Sequence, residues 1–183
     1  MNPSLQALYR LWHTPGQVMH PGWWKSSGLS QWSFTYERYP LTRQALNHLL
    51  RQSLALDGKP PALTTLTQEL IIKERGEPLL IALGLYAMQA RTLLMLRPYR
   101  EILSTRFDSL AFEQLKVILP SVSQSIELAP IELPERALRI GSAWISIASD
   151  PALRACRLLF PPSDLQSPEE CPVPVLQKIV RWL

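Results

Sequence analysis

Between Leu41 and Leu56 the chain repeats its apolar positions with a helical period. Ala45, Leu46, Leu49, Leu50 and Ser53 share one face, and Arg43, Gln44, Asn47, His48 and Arg51 share the other, which predicts an amphipathic helix with one wet side. The run Asp57-Gly58-Lys59-Pro60-Pro61 stops it, because Gly58 suits a left-handed cap and two prolines cannot continue a helix. A second helix is expected over 65–75, with Thr65 and Gln68 at capping-box spacing and Gly76 at its end. Pro78 then reads as the first-turn residue of a long apolar helix reaching Leu96, broken by Arg97-Pro98. The apolar positions of this helix run around its whole circumference, so it is expected to pass through the middle of the fold, with Gly84 admitting a close neighbour. Short helices are predicted at 99–106 and 110–119, the latter closed by Pro120.

Residues 120–134 are polar and carry three prolines, the pattern of a linker. Beyond it, Pro134 opens a helix with Ala137, Leu138, Gly141, Trp144, Ile145 and Ala148 on one half and Glu135, Arg139, Ser142, Ser146 and Ser149 opposite. Asp150-Pro151 pairs a capping residue with a first-turn proline and starts a further helix that runs to about Phe160. A loop at 161–172 leads to a terminal helix lined by Val175, Leu176, Ile179, Val180 and Leu183. Residues 1–40 differ from everything after them. They hold four of the six Trp and three of the five Tyr among Pro, Gly and Ser, and beyond a short helix at 5–12 show no sustained period. These aromatics suit either anchors in the core or an exposed recognition surface.

The fold class expected from this pattern is all-α: one compact bundle of seven or eight helices around a central apolar helix, with an irregular Trp-rich N-terminal segment. A single domain over 1–183 is expected, divided into the aromatic-rich segment 1–40, central helices at 41–119, the Pro-rich linker 120–134 and C-terminal helices at 135–183. A content of 46% hydrophobic and 19% charged residues supports a true core and excludes wholesale disorder. The 17 prolines against 7 glycines act as punctuation between helices. The stretch 79–96 has the minimum length of a membrane span, but Gln89 and Arg91 inside it and several weakly apolar residues count against insertion.

Candidate chemistry changes little. His13, His20 and His48 lack companions at metal-ligand spacing, and Cys156 and Cys171 form neither a metal nor a redox motif. The serines sit in no nucleophile elbow, and the glycines build no phosphate loop. Glu132, Glu135 and the Glu169-Glu170 pair are explained by a helix start and a loop. No catalytic residue, metal or cofactor is therefore expected, and no small-molecule substrate. Free thiols and the absence of a secretory signal point to a reducing cytoplasm. The net charge of +4 is carried by basic residues that read as scattered. It leaves open an acidic protein partner or, as the alternative, a helical nucleic-acid-binding or regulatory protein using Arg91, Arg97, Arg100, Arg106, Arg136 and Arg139.

Three pieces of the chain resemble one family. The stretch LLIALGLYAMQARTLLMLRPYREIL, with Leu83-Gly84-Leu85 leading to Arg91, is similar to the middle helix of the SctK/YscK/OrgA accessory proteins of bacterial type III secretion systems. Ile140-Gly141-Ser142-Ala143-Trp144, followed by Arg157-Leu158-Leu159-Phe160-Pro161, resembles that family's closing segment. Pro15, Val18, His20 and Pro21 resemble its early Pro-x-x-aromatic-x-His pattern, with Val18 departing from the aromatic. The resemblance implies an adaptor in the cytoplasmic sorting platform beneath the injectisome. Such an adaptor joins the SctQ-type pod protein to the cytoplasmic domain of the SctD-type inner-membrane ring protein. It would lie in the cytoplasm, peripheral to the inner membrane and without inserting into it. It carries no catalytic residues to transfer. The surplus aromatics Trp23, Trp24 and Trp32 are the expected partner-binding candidates.

Overall fold

The computed structural model describes residues 2–121, 127–163 and 172–183. Within them the chain is all-α, with no strand. The helices are α1 Pro3–His13, α2 Pro15–Val18, α3 Gly22–Ser26, α4 Ser33–Arg38, α5 Arg43–Ser53, α6 Thr65–Leu70, α7 Lys73–Ala87, α8 Arg97–Leu103, α9 Ser109–Ile118, α10 Leu133–Ile145, α11 Pro151–Cys156 and α12 Val173–Trp182, with short 3-10 turns between some of them. The count exceeds seven or eight because several are single turns, too short to impress a period on the sequence. For the same reason the N-terminal segment is not irregular: it is a chain of short helices.

The core is organised on α7 packed along α10. Leu79 to Leu85 are all buried, so the central apolar helix lies where its pattern puts it. Close packing rests on two glycines. A Cβ built on Gly84 would stand 1.9 Å from the carbonyl oxygen of Ala137, and one on Gly141 would stand 2.0 Å from that of Leu80. Each helix thus presses its backbone onto the glycine of the other.

Two boundaries differ from expectation. Gly76 does not end the second helix: α6 stops at Leu70, and α7 begins at Lys73, a turn before Pro78, which lies inside it. Gly76 sits where a Cβ would meet the Leu70 carbonyl at 2.4 Å, so it permits this tight entry. The apolar stretch is also not one helix to Leu96. Gln89 takes a left-handed conformation (φ 53°, ψ 39°), and Ala90–Met95 continue as 3-10 turns. Consequently, no helix among the described residues is long and apolar enough to cross a membrane.

Caps fix the other ends. Thr64, rather than Thr65, caps α6 by accepting from the Thr67 N–H at 3.3 Å. Asp150 caps α11 as expected, and its second oxygen accepts from the Thr64 hydroxyl at 3.2 Å, tying two helix starts together. Ser142 is buried on α10 rather than facing water. Residues 122–126 of the expected linker, and 164–171 with Glu169, Glu170 and Cys171, lie outside the described residues. From the rest of that linker, Leu133 is buried and Leu128 accepts a hydrogen bond from the Tyr99 hydroxyl at 2.7 Å.

Cys156 is fully buried, and burial, with the Asp150 charge second, pushes its thiol far above the usual range. Thiolate is the reactive species. A thiol reagent followed by peptide mapping should therefore leave Cys156 unmodified in the native protein and label it only on unfolding; rapid native labelling would contradict this packing.

Candidate protein-interaction surface

The three tryptophans separate by environment. Trp24 is buried, its ring 5.3 Å from that of Tyr36. Trp23 is half-buried, donates from Nε1 to the Phe160 carbonyl at 2.8 Å and lies under the Arg157 guanidinium at 5.5 Å. Both of these rings therefore anchor the N-terminal segment to the fold. Trp32 is 42% exposed. His20, beside them, accepts from the Gly22 N–H with Nδ1; partial burial, and then the Lys73 charge, lowers its pKa and favours the neutral ring.

Trp32 begins a corner of the molecule where apolar side chains stay in water. Phe34, Tyr39 and Leu41 follow it, Leu41 being 98% exposed. Arg38 lies over the rings of Phe34 and Tyr39 at 5.6 and 5.7 Å. The corner is held rigid from within. Thr42 donates to the carbonyls of Tyr39 and Thr35, and Arg43 donates to those of Tyr36 and Glu37.

The rotation of α5 decides what this corner presents. Its buried residues are Leu46, Asn47 and Leu50, whereas Ala45 and Leu49 are exposed, contrary to the face predicted from the sequence. Asn47 is drawn inward by two donors: its Oδ1 accepts from the Gly16 N–H and from the Tyr36 hydroxyl, each at 3.2 Å. Burial pushes the Tyr36 phenol up, opposed by the Asn47 bond and the Arg43 charge, so Tyr36 remains a donor. Turning Asn47 inward turns Ala45 and Leu49 outward. The outer side of α5 then carries Ala45 and Leu49 four residues apart, beside Gln44 and His48, and Leu41 precedes them in the 3-10 turn Pro40–Thr42.

Between this side and the end of α1 runs an open groove of about 820 Å³, lined by His13, Gln17, Arg43, Gln44, His48 and Arg51 among others and by no carboxylate. Arg51 donates to the carbonyls of Leu56 and Gly58, and Arg43 likewise bonds carbonyls, so neither charge is neutralised there. Ion pairs between described residues join Glu69 to Arg75, Glu77 to Arg106, Arg97 to Glu101 and Glu113 to Lys116; none reaches this corner.

Charge balance along the chain supplies the signal that the reading of scattered basic residues misses. Residues 1–60 hold six Lys and Arg against two acids, a net of +4, while residues 61–183 hold thirteen of each. The whole excess therefore belongs to the part of the chain that builds the corner. Conversely, Arg97 and Arg106, which the nucleic-acid alternative uses, are each paired with a glutamate. No group of three or more His, Cys, Asp or Glu among the described residues is placed to hold a metal.

A second set of exposed apolar residues lies at Met95, Leu96, Leu110 and Val117, around α8 and α9. Among known families, the one described as type III secretion system subunit matches this chain over residues 6–162, which takes in both surfaces. No curated protein and no solved structure matches it.

Proposed function

Because the chain belongs to this family of type III secretion system subunits, we propose that it is a non-enzymatic adaptor of the cytoplasmic sorting platform. It links the SctQ-type pod protein to the cytoplasmic domain of the SctD-type ring protein, on the cytoplasmic side of the inner membrane. The observation that carries this reading is the solvent-facing side of α5 and of the 3-10 turn Pro40–Thr42 that leads into it. Leu41, Ala45 and Leu49 are apolar, exposed and held on a corner braced by side-chain bonds to the backbone, and the core makes no use of them. An exposed apolar patch with an aromatic and cationic rim is the composition of a protein interface. The exposed Met95 and Leu96 before α8, with Leu110 and Val117 on α9, offer further apolar surface away from this corner in the chain, as a linking protein requires.

Trp32, rather than Trp23 or Trp24, is the tryptophan free to contact a partner; the other two act through the fold. A single domain is supported by the buried cluster of described residues, which runs from Leu8 to Ile179. The test is co-purification of the full chain with the SctQ-type protein and the SctD-type cytoplasmic domain of the same organism, followed by size-exclusion with light scattering. A stoichiometric complex that survives moderate salt is the expected result. Retention of neither protein overturns the reading.

A further inference from the structure

We propose that the outer side of α5 receives an acidic amphipathic helix of a partner protein, with Leu41, Ala45 and Leu49 taking its apolar stripe and the groove beside them taking its carboxylates. This rests on the adaptor reading only in making the partner a protein.

Three independent features converge. The first is geometric: α5 spans 11 residues, about 16 Å, with the exposed Ala45 and Leu49 four residues apart, the spacing at which one helix reads another, and Leu41 exposed in the 3-10 turn Pro40–Thr42 that leads into it. The second is electrostatic. The groove wall carries Arg43, Arg51, His13 and His48 and no carboxylate, and it belongs to the segment that holds the chain's entire charge excess. Positive potential focused in a concave surface attracts an oppositely charged segment and steers its approach. The third is the brace beneath. Asn47 fixes the rotation of α5, and Thr42 and Arg43 fix the turn into it, so the receiving face is formed before a partner arrives.

Other occupants fit less well. A nucleic acid would use the cations but gain nothing from the exposed aliphatic side chains Leu41, Ala45 and Leu49. A second copy packed on the same face about a twofold axis would bring the groove's arginines, Arg43 and Arg51, against those of its partner with no carboxylate in the groove to pair them.

The test uses the full chain and three labelled probes: a helical peptide with a Leu stripe and a Glu face, polyglutamate of equal charge, and single-stranded DNA of equal charge. Binding is read by fluorescence anisotropy at low and at physiological salt. Saturable binding is expected for the peptide alone, weakening as salt rises. The variant Gln44→Glu/His48→Glu, which alters two exposed side chains and leaves the braces intact, is expected to weaken it by about tenfold. Leu41→Ser, at a position almost entirely in water, is expected to weaken it by roughly fivefold or more. Both variants should retain the circular dichroism and melting temperature of the parent. The proposal is overturned by no saturable peptide binding, by variants that stay within about twofold of the parent, or by equal or tighter binding of polyglutamate or DNA. Co-purification with the secretion proteins is scored separately. If they are retained and the α5 variants change nothing, this inference fails and the adaptor stands. If the peptide behaves as expected and neither protein is retained, the adaptor fails and the acidic-helix site stands.

Discussion

Gly84→Ala is expected to destabilise the protein by about 3 kcal/mol or more, lowering its melting temperature by roughly 6–12 °C, and Gly141→Ala to do much the same. Helix propensity argues the other way, since alanine is favoured over glycine inside a helix by about 1 kcal/mol. A net loss therefore understates the cost of the contact by about 1 kcal/mol. The contact is unyielding: the new methyl of Gly84→Ala would lie 1.9 Å from the Ala137 carbonyl oxygen and 2.5 Å from its carbon. These are backbone atoms of α10, so no rotamer change relieves them, and α7 and α10 have to move apart. Because the two glycines serve one crossing, the double variant should cost less than the sum of the singles; separation forced by one methyl makes room for the other. Gly28→Ala supplies the control. Gly28 has φ of +74° but open space around it, so its cost is backbone strain of about 1 kcal/mol. Thermal melts of these variants decide the matter. Single variants at Gly84 and Gly141 that melt with or above the parent would mean that the helices are not in backbone contact.

That crossing was the most legible feature of the sequence. A helix apolar around its circumference, with a glycine in it, has to be central and closely approached, and the wheel of α10 places Gly141 on its inner half. Capping was nearly as legible, because Asp150-Pro151 states a helix start in two adjacent residues. What stayed illegible was decided by partners far along the chain. The wheel of α5 put Asn47 on the wet face, and the rotation was instead set by its donors Gly16 and Tyr36, 31 and 11 residues away. Nothing at Gln89 announces a left-handed residue, since neither Gly nor Asn stands there to invite one. The short N-terminal helices are each held by contacts such as Trp23 Nε1 to Phe160, 137 residues apart. Charge was different. Its concentration in residues 1–60 was countable from the start and disappears only when the chain is summed whole.

Asn47→Ala should cost about 2–3 kcal/mol and loosen residues 14–39 while sparing the α7–α10 pair. Its Oδ1 serves two donors at once, the Gly16 N–H and the Tyr36 hydroxyl, and Asn47 itself is buried. Removing an acceptor from a buried donor costs about 1–3 kcal/mol, more than the net worth of a hydrogen bond, because the donor has left water without compensation. Tyr36→Phe deletes only one donor and leaves Asn47 bonded to Gly16, so a cost of about 1 kcal/mol is expected there. The order of the two variants is thus part of the prediction. Location is the other part. Gly16 belongs to α2 and Tyr36 to α4, so losing Asn47 frees both from α5, and amide hydrogen exchange should accelerate in those helices before it does in α7. The same loss moves the His13–Gln17 wall of the cationic groove relative to α5. Binding of the Leu-Glu helical peptide should therefore weaken in Asn47→Ala, although Asn47 itself is buried at the groove wall. An Asn47→Ala variant costing no more than Tyr36→Phe, with exchange unaltered in α2 and α4, would mean that the corner is held by something other than this side chain.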